Sequence, residues 1–322
     1  MRNPSARPAS PAISRRKALA GLTGIAGASL LRPAIAQTAT GVHTFRLGDA
    51  EISIVSDGTM SMPLDWVLPG RPLEEIAGVF AAEGKALGEF TLQVNTTVIR
   101  RGNELILVDT GAGADFAPQR GRLADNLAKA GIKPEAVTTV VFTHAHPDHF
   151  WGVVDPLDGG SIFPNARHLM TAVERDYWLK TGVEAGVPDA VRGAAIGTQR
   201  RLKELAARIE TFRDGPEIAP GLTALDTSGH SPGHVSLLLH AGSDMLLIGG
   251  DVLIEPVISF SRPAWLWGPD WDGDRGIKAR LRTLDMLAAG KTRLVGYHLP
   301  WPGLGRVERI ASAAPSYRFV AG

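Results

Sequence analysis

The chain of 322 residues contains no cysteine. This absence excludes disulfide bonds and thiolate metal ligands, so any metal site has to use His, Asp or Glu. A chain without cysteine also suits an oxidising compartment, because no thiol can be mispaired there.

An excess of one charge is missing as well. Lys and Arg number 34, Asp and Glu number 33, and the formal net charge is +1. We find no basic stripe interleaved with aromatic residues, which is the usual footprint of a nucleic-acid-binding surface. The composition therefore argues against a nucleic-acid partner.

Long hydrophobic runs are scarce, and the one at residues 18–31 is shorter than the ~20 residues that span a bilayer. It follows the basic segment SRRK at 14–17 and precedes the small residues AIA at 34–36. A basic region, an apolar region and a small-residue cleavage site in this order are typical of a secretory signal. Paired Arg15 and Arg16 before a weak apolar run resemble a twin-arginine signal, although Ala18 stands where that motif usually has Phe.

We therefore interpret residues 1–36 as a twin-arginine-type signal peptide and expect the mature protein to begin at Gln37. The alternatives are a disordered basic arm and a retained short membrane anchor. With the signal removed, residues 37–322 are expected to be periplasmic or secreted, without stable membrane insertion. The sequence leaves the oligomeric state open, and a homodimer is compatible with it.

Hydrophobic periodicity predicts alternating strands and helices over residues 37–322. The predicted strands are 42–47, 51–56, 92–100, 104–109, 138–143, 167–170, 222–226, 235–240, 245–249 and 293–296, and the predicted helices are 120–130, 172–180, 190–208 and 275–289. Both halves begin with hairpins and continue with strand–helix units. This order predicts an α/β fold with two sheets packed face to face and helices outside, a four-layer αβ/βα sandwich.

The strongest chemical signal is the sequence HAHPDH at residues 144–149, directly after a predicted buried strand. Residues two apart in an extended segment point to the same side, so His144 and His146 can bind one ion together. Pro147 restricts the backbone, and the chain then turns so that Asp148 and His149 can face a second ion. Imidazole and carboxylate are suitable ligands for a divalent ion where thiolate is absent. A solvated His-rich loop is the alternative.

Residues 144–149 resemble the H-x-H-x-D-H signature of the metallo-β-lactamase superfamily. That family adds a His on a later loop, a bridging Asp at a strand end and often a final His, which SGHSPGH at 228–234, GGD at 249–251 and GYH at 296–298 match. The resemblance implies a site for two metal ions. One ion is expected on His144, His146 and His230, the other on Asp148, His149 and His298, with Asp251 bridging them.

The resemblance also implies supporting residues. VDTG at 108–111 matches a further family motif, and we expect Asp109 to order the ligand loop without touching metal. His234 is interpreted in the same way, as a neighbour of the ligands. His43, His168 and His240 lie in strand patterns without ligand neighbours and are expected to be surface or otherwise satisfied residues.

Within the superfamily, the chain is most similar to the branch that contains methyl parathion hydrolase. The supporting segments are SDG at 56–58, GRL at 121–123, DYW at 176–178 and HLPWPG at 298–303, whereas residues 262–274 depart from that enzyme. Phe116 and Trp178 match aromatic positions of the branch. Trp265 and Trp267 follow Asp251, and we predict that these four residues line the substrate pocket, with Trp271 at its rim.

By resemblance, two divalent ions share a water, lower its pKa from ~16 toward ~7 and so provide a bridging hydroxide, with Asp148 as the catalytic proton shuttle. Zinc is the default for these ligands, and Mn, Co, Fe or Ni also fit. Lys and Arg are sparse beside the metal motifs, so we predict a small, neutral, hydrophobic ester or lactone as substrate. The alternatives, in order, are a phosphotriester, a β-lactam and a metal-binding module without catalysis.

Overall fold

Strands and helices alternate along the chain, as the periodicity predicts. The computed structural model describes residues 41–322, except 89, 115, 117–120, 214 and 216. The predicted signal peptide therefore lies outside the described residues.

The described strands are β1 (Val42–Leu47), β2 (Ala50–Ser61), β3 (Thr91–Arg101), β4 (Glu104–Val108), β5 (Thr139–Val141), β6 (Arg167–Thr171), β7 (Ile209–Phe212), β8 (Glu217–Ala219), β9 (Leu222–Asp226), β10 (Val235–Ala241), β11 (Asp244–Ile248), β12 (Arg293–Val295), β13 (Leu304–Arg309) and β14 (Tyr317–Ala321). The described α-helices are α1 (Leu64–Val67), α2 (Leu73–Ala82), α3 (Leu123–Lys129), α4 (Pro147–Phe150), α5 (Ala172–Leu179), α6 (Asp189–Leu205), α7 (Ile258–Ser261) and α8 (Gly273–Gly290).

The strands of the described part form two sheets of seven strands each. The first sheet has the order β1 to β7, with antiparallel pairing up to β4 and parallel pairing from β4 to β7. The second has the order β14-β13-β12-β11-β10-β9-β8, in which β11 and β12 are parallel. Each half of the chain thus builds one sheet.

Alternate residues of the central strands face different layers. In β4, Ile106 belongs to the core between the two sheets, whereas Leu107 belongs to the core beneath α3, α5 and α6. In β11, Leu246 faces the central core and Leu247 packs with residues of α8. This period of two is what a sheet covered on both faces requires. The predicted four-layer sandwich is confirmed.

The candidate ligand segments lie where strands end. Residues 144–149 follow β5, Asp251 follows β11, His298 follows β12, and His230 lies between β9 and β10. Two backbone hydrogen bonds join the sheets at this edge: the Val235 N–H donates to the Thr143 carbonyl at 3.1 Å, and the Asn95 N–H donates to the Tyr297 carbonyl at 2.9 Å. The fold therefore gathers segments that are distant in sequence.

The helix predicted from residue 120 begins only at Leu123. Its preceding turn contains Gly121 at a φ of 78°, a left-handed conformation that glycine adopts readily. The Asp57 carboxylate then accepts the Leu123 N–H at 2.8 Å, so a residue of β2 satisfies the helix start. No helix among the described residues is long and apolar enough to span a membrane.

Candidate metal centre

The His and Asp side chains predicted as metal ligands converge at the edge of the two sheets. They form two groups, whose ligand atoms lie within 4.8 Å of one another in each group. The first group is His144, His146, His230 and Asp251, and the second is Asp148, His149 and His298. All of them are buried except His146, which is half-buried. The grouping agrees with the division that the family resemblance implies.

The Asp251 carboxylate lies between the two groups. Its Oδ2 atom is 3.1 Å from His230 Nε2 and 3.2 Å from His298 Nε2. Its Oδ1 atom is 3.0 Å from His149 Nε2. One carboxylate therefore contacts histidines of both groups, which is the geometry expected of a bridging ligand.

Several ligand atoms are buried without a hydrogen-bond partner outside the two ligand groups among the described residues: His144 Nε2, Asp148 Oδ2, His149 Nε2 and Asp251 Oδ1. An unsatisfied buried polar atom destabilises a protein by about 1–3 kcal/mol. Four such atoms in one cluster are explained if they coordinate cations. Imidazole and carboxylate donors in this number fit two divalent ions.

The local backbone explains how one short segment serves both groups. His146 is extended, with φ −64° and ψ 155°, and Pro147 begins the short helix α4. His144 and His146 therefore lie on the extended part, while Asp148 and His149 lie on the helical turn. This arrangement agrees with the turn that Pro147 predicts.

Asp109 orients His149 from behind. Its Oδ2 atom accepts the His149 Nδ1–H at 2.8 Å and the Thr143 hydroxyl at 2.8 Å, and its Oδ1 atom accepts the Thr143 N–H at 2.8 Å. Because an ionised carboxylate only accepts, the His149 proton lies on Nδ1 and Nε2 faces the other ligands. Asp109 has a φ of 59°, which directs the chain out of β4 into the next loop.

The negative charge of the site affects the pKa of His149. Burial disfavours its protonated form, but the carboxylates Asp251, Asp148 and Asp109 raise the pKa of His149 well above its usual value. A field that stabilises a proton at this position also stabilises a bound cation.

His234 supports Asp251 and is absent from both ligand groups. The Asp251 N–H donates to His234 Nε2 at 2.9 Å, so the imidazole proton lies on Nδ1, which donates to the Thr227 hydroxyl at 2.8 Å. Burial and the neighbouring His230 lower the pKa of His234 to about 3, which keeps Nε2 available as an acceptor. The structure places His234 where the sequence predicts it, beside the ligands.

The sequence did not single out two further residues that contact ligands. Asp270 accepts from His230 Nδ1 at 3.2 Å and from Arg280 at 3.0 Å. Tyr297 donates its hydroxyl hydrogen to the Asp148 carbonyl at 2.6 Å and stacks on the His149 ring at 3.9 Å. Tyr297 directly precedes His298, which could have drawn attention to it, whereas Asp270 lies in the segment that departs from the family pattern.

A cavity of about 420 Å³ opens onto the ligand cluster. Its aromatic and apolar wall includes Met60, Met62, Trp66, Phe116, Tyr177, Trp178, Val187, Val191, Ile254, Trp267 and Trp271. His146, Asp148, His230, Asp251 and His298 form part of the same lining. No Lys or Arg lines it within the described residues, so this part of the structure offers no cationic clamp for a substrate carboxylate.

Of the four predicted pocket residues, three line the cavity and one does not. Phe116, Trp178 and Trp267 lie on the cavity wall, whereas Trp265 does not. Trp265 packs into the core beneath, where Arg71 lies over its ring at 4.3 Å and its carbonyl accepts from Arg280 at 3.0 Å. The prediction for Trp265 was wrong: it belongs to the same core cluster as Trp267, but of these two only Trp267 reaches the cavity wall.

The remaining histidines lie outside the ligand groups. His168 in β6 is buried and lies 2.8 Å from the Ser161 hydroxyl through Nε2. His43 is half-buried in β1 and His240 is exposed in β10. The sequence interpretation of these three as surface or satisfied residues agrees with their positions.

His168 should make folding stability depend on pH. Burial, aided by Arg208, lowers its pKa from 6.5 to about 4. The unfolded state therefore binds more protons than the folded state between pH 4 and 6.5. The contribution of neutral His168 to the free energy of unfolding is fully present above pH 6.5 and is lost as pH falls toward 4. The loss is at most on the order of 3 kcal/mol. Urea unfolding across that range should show a flatter pH dependence for His168→Gln than for the wild type, with His240→Gln as the exposed control. An unchanged slope in His168→Gln would contradict this.

A sequence model of the Metallo-beta-lactamase superfamily matches residues 90–297 of the chain. The chain belongs to the metallo-beta-lactamase superfamily. The match ends one residue before His298, and it contains the other residues of the two ligand groups.

Two solved structures are similar over most of the chain. The hydrolase AbOPH is 27% identical with a TM-score of 0.80, covering 88% of this chain and 98% of that chain. AidC, a dizinc quorum-quenching lactonase in complex with the product N-hexanoyl-L-homoserine, is 28% identical with a TM-score of 0.81, covering 88% and 97%. A closer relation to the methyl parathion hydrolase branch stays a prediction.

Curated relatives match over shorter stretches. The N-acyl homoserine lactonase of Bacillus cereus is 26% identical over 152 residues, which are 45% of this chain and 51% of that protein. An atrochrysone carboxyl ACP thioesterase of Passalora fulva is 28% identical over 174 residues, 53% of this chain and 41% of that protein. The chain thus spans about half or less of the length of the curated relatives it matches.

Proposed function

We propose that this protein is a dinuclear metal-dependent hydrolase of neutral, hydrophobic lactones and esters. The observation that carries the proposal is the apolar cavity of about 420 Å³ that ends on the His/Asp cluster. A concave, largely apolar wall with a few convergent polar groups is typical of a small-molecule site. Similarity to a lactonase in complex with its product supports the lactone class.

The proposed cofactor is a pair of divalent ions, zinc by default for these donors, with Mn, Co, Fe and Ni as alternatives. His144, His146 and His230 would hold one ion, Asp148, His149 and His298 the other, and Asp251 both. When bound, such a pair lowers the pKa of a shared water and polarises a substrate carbonyl.

The protein's own residues then direct the proton and the substrate. Asp148 lines the cavity, and its Oδ2 atom lies 3.3 Å from His298 Nε2. We assign it the role of taking a proton from the attacking water and delivering it to the leaving oxygen. The water oxygen bonds to the carbonyl carbon, the ester bond breaks, and the products are an acid and an alcohol. Aromatic walls such as Trp178 hold the acyl part and exclude water.

A substrate panel tests this proposal. We expect kcat/KM for N-acyl lactones and aryl esters to exceed that for β-lactams at least about tenfold, since binding energy from the apolar wall is available only to hydrophobic acyl groups. Paraoxon-like phosphotriesters should be turned over more slowly. Trp178→Ala should lower kcat/KM for long-chain substrates about tenfold while short-chain substrates lose less.

Two outcomes would overturn the assignment. One is a β-lactam preferred by about tenfold or more, and the other is an unchanged preference for hydrophobic substrates in Trp178→Ala. If none of the panel is hydrolysed by protein with its metal ions bound, the metal-binding module without catalysis becomes the better interpretation.

We also propose export through the twin-arginine pathway, which rests on the sequence of residues 1–36. Replacing Arg15 and Arg16 by Lys should leave the precursor in the cytoplasm. N-terminal sequencing of exported wild type should give Gln37 as the first residue. Exported protein that still begins at Met1 would refute cleavage.

A further inference from the structure

We propose that Glu174 is a positioning residue that holds the loops carrying His144, His146 and His230 in register and ties them to the cavity wall. The inference rests on the proposed metal site and adds a residue outside both ligand groups. Glu174 lies in α5 and is completely buried. Its role has to be explained because a buried carboxylate is strongly destabilising unless its oxygens are hydrogen-bonded.

The two carboxylate oxygens reach different loops. Oε1 accepts the Ala145 N–H at 3.0 Å, between the ligands His144 and His146. Oε2 accepts the Ser231 hydroxyl at 2.7 Å and the Gly233 N–H at 2.8 Å, directly after the ligand His230. One side chain thus fixes the spacing of two loops that belong to different sheets.

The same carboxylate also fixes the cavity wall. The Trp178 Nε1–H donates to Oε1 at 2.8 Å, and the Trp178 ring meets the His146 ring edge-on, with centroids 6.1 Å apart. Trp178 is therefore anchored to the atom that also holds Ala145. A displacement of this wall would be transmitted to the His144–His146 segment.

The start of α5 is built for this contact. Thr171 caps the helix, accepting the Glu174 N–H at 3.2 Å, and its hydroxyl donates to the Gly233 carbonyl at 2.7 Å. A Cβ atom at Gly233 would lie 2.3 Å from the Glu174 nitrogen. The His230 loop therefore packs directly on the helix terminus, and only glycine fits there.

In sequence, Thr171 and Glu174 have the spacing of a capping box, in which the glutamate would accept the backbone N–H of the capping residue. The structure instead aims the carboxylate at the two ligand loops and Trp178. This is why local sequence rules assign Glu174 an ordinary helix-start role and miss the connection.

Glu174→Gln tests the proposal with almost no change of shape. The new NH2 group replaces one carboxylate oxygen and must face two groups that donate to it in the wild type. On the Oε2 side, Ser231 can rotate its hydroxyl to accept, whereas the Gly233 N–H cannot. The damage should therefore fall on the His230 loop. We expect the chelator concentration that removes the first ion to fall by about 10- to 100-fold, leaving about one ion per chain, and kcat to fall with it. These ions are counted by elemental analysis, without any substrate.

Two matched variants separate the effects. Glu255 is also a buried carboxylate, but it accepts the N–H groups of Val257 and Ile258 in its own segment. Glu255→Gln should keep both ions and wild-type kcat/KM. Trp178→Phe removes one donor and keeps an aromatic wall, so it should keep both ions while KM for a hydrophobic substrate rises a few-fold.

The outcomes are distinct. Chelator resistance and kcat/KM within about twofold of wild type in Glu174→Gln would overturn the proposal, as would an equal loss in Glu255→Gln. If Glu174→Gln does not fold, Ser231→Ala decides, because it removes a single donor to the carboxylate. Loss of one ion at a lower chelator concentration than in the wild type supports the role. Wild-type chelator resistance overturns it. Loss of an ion in Glu174→Gln together with a wild type that hydrolyses no lactone or ester would refute the proposed substrates and leave the positioning role standing.

Discussion

Chelation should abolish hydrolysis, and added Zn²⁺ should restore it. The loss is expected to reach about 10³-fold or more, because water with its ordinary pKa of ~16 is a poor nucleophile at neutral pH. The chain has no Cys, and Ser231, the Ser on the described cavity wall, donates its hydroxyl to Glu174 rather than to a base that would activate it. Elemental analysis should give close to two ions per chain. Mn²⁺ and Co²⁺ should restore activity to different extents, since the same donors accept them.

The control for this experiment is the fold of the chelated protein. Far-UV circular dichroism should stay close to that of the untreated protein, whereas the unfolding temperature should drop because ions that bind only the folded state stabilise it. Full activity in protein shown to be free of metal would end the dinuclear interpretation.

Asp251→Ala should be the most damaging single ligand substitution, with a loss on the order of 10³-fold in kcat/KM. Asp251 contacts His149, His230 and His298, so its removal loosens both ligand groups. His298→Ala weakens one group only and should lower kcat/KM by about 10²-fold. His234→Ala should have the smallest effect, about tenfold, since it removes only the acceptor of the Asp251 N–H.

Metal content should follow the same order and is measured on the same preparations. Asp251→Ala is expected to retain less than one ion per chain, His298→Ala about one, and His234→Ala about two with weaker binding. A fall in metal content for His234→Ala as deep as for His230→Ala would show that His234 is the ligand of that loop.

The sequence by itself determined the type of fold and the composition of the candidate site. Short apolar runs predicted the central strands, because a strand covered on both faces has to be apolar at successive positions, as Ile106 and Leu107 are. The ligands were readable because several lie in one short segment, where chain geometry alone brings His144 and His146 together. The absence of cysteine fixed the chemistry of the donors.

The tertiary structure alone decided which distant residues meet the ligands. The contacts of three supporting residues join distant parts of the sequence. Glu174 contacts Ala145, Asp270 contacts His230, and Tyr297 contacts Asp148. No local pattern could reveal contacts of this kind. The tertiary structure also decided which aromatic side chains reach the cavity: Trp265 and Trp267 share one core cluster, and of these two only Trp267 lines the cavity. The physical reason is that hydrogen bonds and packing across the sandwich depend on how the sheets come together, and local sequence constrains only each strand and turn.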